Sequence, residues 1–385
     1  MYWYLRVELT EAFPATHSGT KKRVVARNVA LGFLVVTGLL LRAYIFSHLP
    51  NDLSVCTSDF SAFYAGGKLA GTPRLYSPDA AFAIEKQAMG CFMENIVFIK
   101  PPFYALLMWP LAQLPFMPAL TLWRILGLVA VGTFLWMWPG DKWIAAAACA
   151  WYLPLAANFT AGQDLAFLLI ILLGAYYCLK RDRQVWAGVL FGLCIIKFHL
   201  FLLLPLLIFH KKLWRTTIGM ACVGLVAVAA CFLAAGPHWL KDYWTALQDS
   251  RMNPYPWNMV NLKALFYDHP QWLIPSIVVI VLISWYLIYK GSLETAFAAV
   301  LVGSVLITPH TTITDGTLFL PVFLMARRAP LVAMRALATF ALTPLYKFLP
   351  SGTFQVILIC ILILAAWMVS QRQISDPSAR AATAA

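Results

Sequence analysis

The sequence predicts an all-α polytopic membrane protein, and three observations carry that prediction. Of the 385 residues, 61% are hydrophobic and 12% are charged, which leaves too few polar side chains to cover a soluble domain. Apolar stretches of about 20 residues, the length of a membrane-spanning helix, recur from end to end. Short clusters of Lys and Arg separate these stretches. The net charge of +13 therefore indicates membrane topology and not nucleic-acid binding.

The first span sets the orientation of the chain. Four basic residues precede the apolar stretch 28–47, namely Lys21, Lys22, Arg23 and Arg27. Because positively charged flanks stay in the cytoplasm, residues 1–27 are predicted to form a cytoplasmic segment. Residues 48–117 then form a first outer loop.

Short helices are predicted within this outer loop. Residues 60–70 and 79–93 carry apolar side chains at helical spacing, and Asp79 follows Ser77-Pro78 as a helix start. We expect both segments to be interfacial helices. Residues 101–116 are apolar, but they are proline-rich and short for a span, so we expect a re-entrant or interfacial helix on the outer side.

The remaining spans follow from basic clusters at 180–183, 210–215 and 327–328, which we expect to be cytoplasmic. The spans that satisfy them are 118–138, 143–160, 164–179, 184–197, 198–210, 216–235, 272–289, 294–308, 316–326, 330–348 and 353–370. About twelve crossings result, in one transmembrane domain over 28–370. A second outer loop covers 236–270, and a cytoplasmic tail covers 371–385. The pair 184–197 and 198–210 is expected to turn at Lys197 on the outer side.

This topology collects polar residues at the outer ends of the spans. They are Asp59, Lys68, Arg74, Lys100, Gln163, Asp164, Lys197, His199, Asn258, Asn261, His310 and Asp315. A charge inside a membrane costs about 2.5–3.5 kcal/mol, so Arg42, Arg124 and Lys197 either snorkel to headgroups or bind an anion. Both interpretations stay open for the arginines. The tight turn favours an anion at Lys197, and a lipid phosphate would fit.

Two further residues are candidates for chemistry. Asp59 is either a helix cap and solvated loop charge, or a carboxylate made more basic by its neighbours Phe60, Phe63 and Tyr64. His310 is either structural or a hydrogen-bond donor to a developing anion. A carboxylate near cations that bind a lipid phosphate suggests group transfer from that phosphate.

The cysteines do not indicate a cofactor site. Six of the eight lie in apolar spans without metal-ligand spacing, and we interpret them as buried apolar residues. Cys56 and Cys91 lie in the first outer loop. If this loop faces an oxidising compartment, a disulfide between them would close it. We expect no cofactor, and the sequence does not indicate a divalent metal.

Several motifs together resemble glycosyltransferase family 87, whose members are membrane enzymes of the GT-C fold. The motifs are Ser58-Asp59-Phe60, Tyr64-Ala65-Gly66-Gly67, Leu75-Tyr76-Ser77-Pro78, Lys100-Pro101-Pro102-Phe103, Gly162-Gln163-Asp164, residues 187–193 leading to Lys197, and Thr308-Pro309-His310. The resemblance implies a GT-C-type bundle in a bacterial cytoplasmic membrane, with its active site facing the periplasm or exterior. It also implies inverting transfer of a monosaccharide, mannose-like, from a polyprenyl-phosphate donor to a lipid-linked or glycan acceptor.

The same resemblance suggests roles for individual residues. Asp59 takes the position of the general base, and His310 is the second catalytic candidate. The candidates for the donor phosphate are Lys197, Arg124, Lys100 and Arg74. The candidates for acceptor binding or support are Tyr64, Gln163, Asp164, His199, Asn258 and Asp315. Two alternatives remain, a flippase or transporter and a polymerase of polyprenyl-linked glycans.

Overall fold

The computed structural model describes residues 17–48, 55–94, 96–249 and 259–325, with a few short stretches between 352 and 366. Regular structure in this part of the chain is helical. The α-helices are α1 (His17–His48), α2 (Phe60–Leu69), α3 (Pro78–Met89), α4 (Pro102–Ala112), α5 (Phe116–Met137), α6 (Lys142–Trp151), α7 (Leu153–Ala161), α8 (Leu165–Lys180), α9 (Gln184–Leu193), α10 (Leu204–His210), α11 (Trp214–Ala235), α12 (Trp239–Leu247), α13 (Leu262–Leu265), α14 (Leu273–Lys290), α15 (Leu293–Ile307) and α16 (Leu320–Met325). The 3₁₀ helices are Cys194–Phe201, Pro270–Trp272 and Ile313–Phe319.

Several of these helices are apolar and long enough to cross a membrane. Five qualify in the described residues, namely Val24–Ile45, Phe116–Met137, Gln184–Phe201, Trp214–Ala235 and Pro270–Lys290. A sixth results if α6 and α7 are one span, bent by 58°. The expected number of about twelve is therefore not reached by helices of full length. The predicted spans 330–348 and most of 353–370 lie outside the described residues.

Two of the predicted spans are short helices at the centre of the protein. Helix α8 has 16 residues, nine of them buried, and α15 has 15 residues, ten of them buried. Both contribute to one apolar core together with the 3₁₀ helix Ile313–Phe319. Because protein surrounds these helices, they are apolar on every side. Helix α1 is peripheral, and its Leu34 carbonyl accepts a hydrogen bond of 2.7 Å from Trp151 Nε1.

The predicted short pair 184–197 and 198–210 has a different boundary. Helical turns continue past Lys197 to Phe201, although Lys197 itself has non-helical φ and ψ angles of −138° and 51°. The chain then returns through α10. Gly188 in the middle of α9 packs against the Thr216 backbone near the start of α11, so the chain between them turns and comes back beside α9. The predicted pair of helical segments is therefore present, but the first segment is longer (184–201) and the second is shorter (204–210) than predicted.

A second apolar core is formed largely by residues 48–117, the segment that the sequence predicts to be the first outer loop. It joins α2, α4, the start of α5 and the end of α11. Nine of the ten residues of α2 are buried. Helix α2 is therefore packed inside the protein and does not have the exposed face expected of the interfacial helix predicted for residues 60–70. Gly66 and Gly67 permit this packing, because a Cβ atom at either position would overlap Phe98 or Met108. A disulfide joins Cys56 to Cys91 across this unit.

The two ends of the bundle differ in chemistry. At one end Lys180 pairs with Glu294, and Lys211 Nζ donates to the Gly291 carbonyl at 2.7 Å. Helix α8 is about 24 Å long and leads from Asp164, the residue before its first turn, to this basic end. Helix α15 leads in the opposite direction, from the basic end toward His310. The polar residues singled out in the sequence therefore lie at the end opposite the basic loops.

Candidate functional site

A buried chain of alternating charges lies between the two apolar cores. Lys100 Nζ donates to Asp164 Oδ2 at 2.7 Å. Lys197 Nζ donates to Asp315 Oδ1 at 2.7 Å and lies 3.9 Å from Asp164 Oδ1. The exposed fractions of Lys100, Asp164, Lys197 and Asp315 are 8%, 2%, 6% and 1%. Four of the predicted site residues therefore form one connected network.

Each member of this network lies where a helix begins or breaks. Lys100 precedes α4, and Asp164 is the residue before α8. Lys197 is the non-helical residue inside its 3₁₀ helix. Asp315 lies in the first turn of the 3₁₀ helix Ile313–Phe319, where Oδ2 accepts a hydrogen bond of 2.8 Å from the Thr312 backbone N–H. Irregular backbone thus directs the charged side chains inward at one level.

Asp59 lies beside this network at the start of α2. Its carboxylate is half-buried and accepts a hydrogen bond from Gln163 Nε2 at 2.8 Å. Burial raises the pKa of Asp59 above its ordinary value, although the hydrogen bond from Gln163 and the charges of Lys197 and Lys100 act in the opposite direction. The result is a carboxylate more basic than a solvated one, as a proton acceptor requires.

The charges of the network stabilise one another. Burial lowers the pKa of Lys100 to about 8, and the Asp164 carboxylate limits that change. Burial alone would raise the pKa of Asp164, but Lys100 and Lys197 outweigh it and the pKa is lowered. Lys100 and Asp164 are therefore an ion pair at neutral pH. Counting Asp59, two ammonium groups face three carboxyl groups.

Two histidines border the network. The ring centroids of His199 and His310 are 6.4 Å apart in an edge-to-face arrangement. Burial lowers the pKa of His310, and the nearby Lys197 lowers it further, whereas Asp315 raises it. A neutral imidazole at this position can donate one N–H hydrogen bond to an anion.

The turn between α7 and α8 carries both Gln163 and Asp164, and several side chains form hydrogen bonds with its backbone. Arg124 donates to the carbonyls of Phe159 and Thr160 at 3.2 and 3.3 Å. Trp123 Nε1 donates to the Gly162 carbonyl at 2.9 Å. Further hydrogen bonds run from Ser58 Oγ to the Ala161 carbonyl and from the Leu165 N–H to Asn158 Oδ1.

Gly162 is essential to the shape of this turn. Its φ angle is +67°, in the left-handed region, and a Cβ atom there would lie 2.7 Å from Phe60 Cβ and 2.9 Å from Ser58 Oγ. The backbone of α2 can approach only because Gly162 lacks a side chain. This close approach brings Asp59 to Gln163.

Other predicted site residues have contacts elsewhere. Arg124 caps the end of α7, as Arg42 does for α6 by donating to the Trp151 carbonyl at 2.8 Å. Both arginines thus complement the negative end of a helix. The Tyr64 hydroxyl donates to the Leu114 carbonyl, and Arg74 is exposed without a described contact to the network. Asn258 lies outside the described residues.

Sequence reasoning missed the residues that support the site. Trp123, Asn158 and Ser58 hold the turn, and Tyr104 lies beside Asp164, where its hydroxyl helps to lower the pKa of that carboxylate. Tyr104 follows Lys100 by four residues, and the Lys100 ammonium lies 5.1 Å from its ring centroid. In the sequence, the only indication of such a supporting role was that Trp123 lies next to Arg124 near the end of a predicted span. Among the described residues, no group of three His, Cys, Asp or Glu side chains is arranged to hold a metal ion.

Comparison with known proteins gives one match. A model of glycosyltransferase family 87 matches residues 98–321, which is more than half of the chain. No curated protein and no solved structure matches. The matched region contains Lys100, Asp164, Lys197 and Asp315, whereas Asp59 precedes it. The chain therefore belongs to glycosyltransferase family 87 and is a membrane glycosyltransferase.

Proposed function

We propose that this protein transfers a mannose-like monosaccharide from a polyprenyl-phosphate donor to a lipid-linked or glycan acceptor, with inversion at the anomeric carbon. The observation that carries the proposal is the position of Asp59. A half-buried carboxylate with a raised pKa lies beside a buried network that holds two ammonium groups at one end of the bundle. A base next to phosphate-binding cations is the arrangement that such a transfer needs.

We propose that this end of the bundle faces the periplasm or exterior of a bacterial cytoplasmic membrane. The basic clusters around Lys180 and Lys211 lie at the other end, and such clusters stay in the cytoplasm. The Cys56–Cys91 disulfide supports this orientation, because disulfides persist in oxidising compartments. A GT-C-type bundle of about twelve crossings is part of the same proposal.

Lys197 and Lys100 are the proposed ligands of the donor phosphate. Each ammonium group has three donors, and the hydrogen bond to its carboxylate uses one of them. The carboxylates hold the ammonium groups in fixed positions before the donor arrives, which reduces the reorganisation needed in the transition state. His310 would add a neutral N–H donor. Arg124 is not retained as a phosphate ligand, because it donates to carbonyls of α7, and Arg74 is not retained, because it is exposed without a described contact to the network. Tyr64 is not retained as an acceptor ligand, because its hydroxyl donates to the Leu114 carbonyl.

In the proposed reaction the acceptor hydroxyl oxygen attacks the anomeric carbon from the face opposite the phosphate. Asp59 takes the hydroxyl proton as the new carbon–oxygen bond forms. The bond between the anomeric carbon and the phosphate oxygen breaks, and its electron pair leaves with polyprenyl phosphate. Because this phosphate is a good leaving group, no strong general acid is needed. Lys100 and Lys197 would stabilise the charge that develops on it.

A donor panel tests this proposal. Purified protein in lipid nanodiscs would be incubated with polyprenyl-phosphate sugars, polyprenyl-pyrophosphate glycans and nucleotide sugars, each with a membrane lipid extract. Mass spectrometry and NMR of the product should reveal one added sugar of inverted configuration, from a polyprenyl-phosphate donor alone. Transfer from a nucleotide sugar, or of a whole glycan from a pyrophosphate donor, would contradict the proposal.

A further inference from the structure

Helix α12, in the predicted second outer loop, exposes large apolar side chains. It begins at Trp239, four residues after the end of α11, which is long and apolar enough to span the membrane. None of its nine residues is buried. Leu240 and Trp244 are 63% and 62% exposed, and Leu247 is 38% exposed. A soluble environment would not favour so much exposed apolar surface on so short a helix.

The side chains of α12 divide into three separate faces. Leu240, Trp244 and Leu247 follow each other at spacings of four and three residues, so they lie on one face. Trp239, Tyr243 and Ala246 form the adjacent face and are half-buried against the protein. The remaining face is polar and comprises Lys241, Asp242 and Thr245, with Gln248 directly after the helix.

The protein-facing side of α12 has defined partners. The ring centroids of Trp239 and Phe232, at the end of α11, are 6.2 Å apart. Those of Tyr243 and Tyr76 are 5.8 Å apart. The Tyr76 hydroxyl in turn donates to the Lys100 carbonyl at 2.8 Å. Packing therefore fixes the rotation of α12 and connects it to the loop that carries Lys100.

We propose that α12 lies in the headgroup region of the outer leaflet, with Leu240, Trp244 and Leu247 inserted among the lipids. A helix at the boundary of protein, bilayer and water has three different surroundings, and the three faces of α12 match them. Trp is the residue that membrane interfaces favour, and an apolar face beside a polar one is the pattern of an interfacial helix. The end of α11 brings α12 to the membrane surface. Lipid contact would then hold the outer loop, and with it Tyr76, beside the site.

Photo-crosslinking from single positions tests this placement. The photoreactive residue p-benzoylphenylalanine would replace Leu240 or Trp244 on the apolar face, and Lys241 or Thr245 on the polar face. The full-length protein would be irradiated in nanodiscs of phosphatidylethanolamine and phosphatidylglycerol, and lipid adducts would be measured by mass spectrometry. Replacement of Leu225, which is 71% exposed within the span of α11, provides the lipid-contacting reference.

The expected result is a lipid adduct yield from positions 240 and 244 close to that from 225, and several-fold above that from 241 and 245. Equal yields from the two faces of α12 would overturn the proposal. Protein–protein adducts from 240 and 244 in place of lipid adducts would overturn it as well, and would indicate a second copy of the chain. The readout does not depend on sugar transfer, so its outcome is separate from that of the donor panel.

Discussion

The chemistry proposed for Asp59 depends on opposing effects at a single carboxyl group. Burial favours its protonated form, whereas the Gln163 hydrogen bond and the charges of Lys197 and Lys100 favour the ionised form. Burial is the larger effect, so the pKa is raised. Asp59 must be ionised to accept a proton, and transfer should therefore increase as pH rises through this pKa. Loss of the Lys100 proton near its pKa of about 8 should limit transfer in alkaline solution.

Removing the hydrogen bond to Asp59 should shift this pH dependence. In Gln163→Leu the ionised carboxylate loses its donor, so the pKa of Asp59 rises further and the acid limb of the kcat/KM profile moves to higher pH. The alkaline limb should stay in place. Gln271→Leu, at an exposed position, is the matched control. An unchanged acid limb in Gln163→Leu would mean that another group accepts the proton.

The turn between α7 and α8 determines where Gln163 and Asp164 lie. The bend of 58° between α6 and α7 leaves the Trp151 carbonyl to accept from Arg42, and the end of α7 leaves the Phe159 and Thr160 carbonyls to accept from Arg124. A charged group buried in a span is compensated here by carbonyl oxygens of the same protein, so neither arginine needs a lipid phosphate.

Arg124→Gln should reduce both stability and turnover. Hydrogen bonds from charged groups contribute about 1.5–3 kcal/mol each, and their loss loosens the turn that carries Asp164. We expect a lower Tm and a lower kcat with little change in the donor KM. The exposed Arg74→Gln should change stability by no more than about 0.5 kcal/mol. A higher donor KM for Arg124→Gln, with kcat and Tm unchanged, would instead indicate a phosphate ligand.

Gly162→Ala tests the close approach of α2 to this turn. The left-handed backbone costs a non-glycine residue roughly 1–2 kcal/mol, and the added Cβ also overlaps Phe60 and Ser58. Separation of Asp59 from Gln163 should then reduce kcat. Gly132→Ala, inside α5 with no atom within 4 Å of the added Cβ, should instead stabilise by about 0.5–1 kcal/mol. Equal Tm and kcat for the two variants would contradict this account of the turn.

The site and the basic loops should lie on opposite sides of the membrane. Asp268 precedes α14, and that helix ends at the Gly291 turn of the basic end. A membrane-impermeant maleimide applied to intact cells should label Asp268→Cys and leave Arg181→Cys unlabelled, with the unsubstituted protein as background. Labelling of Arg181→Cys alone would reverse the proposed orientation.

Sequence reasoning predicted the members of the site better than their partners. Charge clusters and span ends place Asp59, Asp164 and Lys197 on one side, because each lies where an apolar stretch stops. The pairing of Lys197 with Asp315 joins residues 118 positions apart, which periodicity cannot reveal. The burial of α2 also depends on contacts with distant parts of the chain, which a local pattern does not reveal. The break at residue 152, which gives Arg42 its partner, had only Pro154 as a local signal.

The rate of sugar transfer by Asp59→Asn tests the assignment of Asp59 as the general base. A general base contributes about 10²–10⁴-fold, so transfer from a polyprenyl-phosphate sugar should fall by that factor while expression and Tm remain those of the parent protein. Asp268→Asn, the same change at an exposed position, should retain full transfer. Transfer by Asp59→Asn at the parental rate would contradict the assignment of Asp59 as the base.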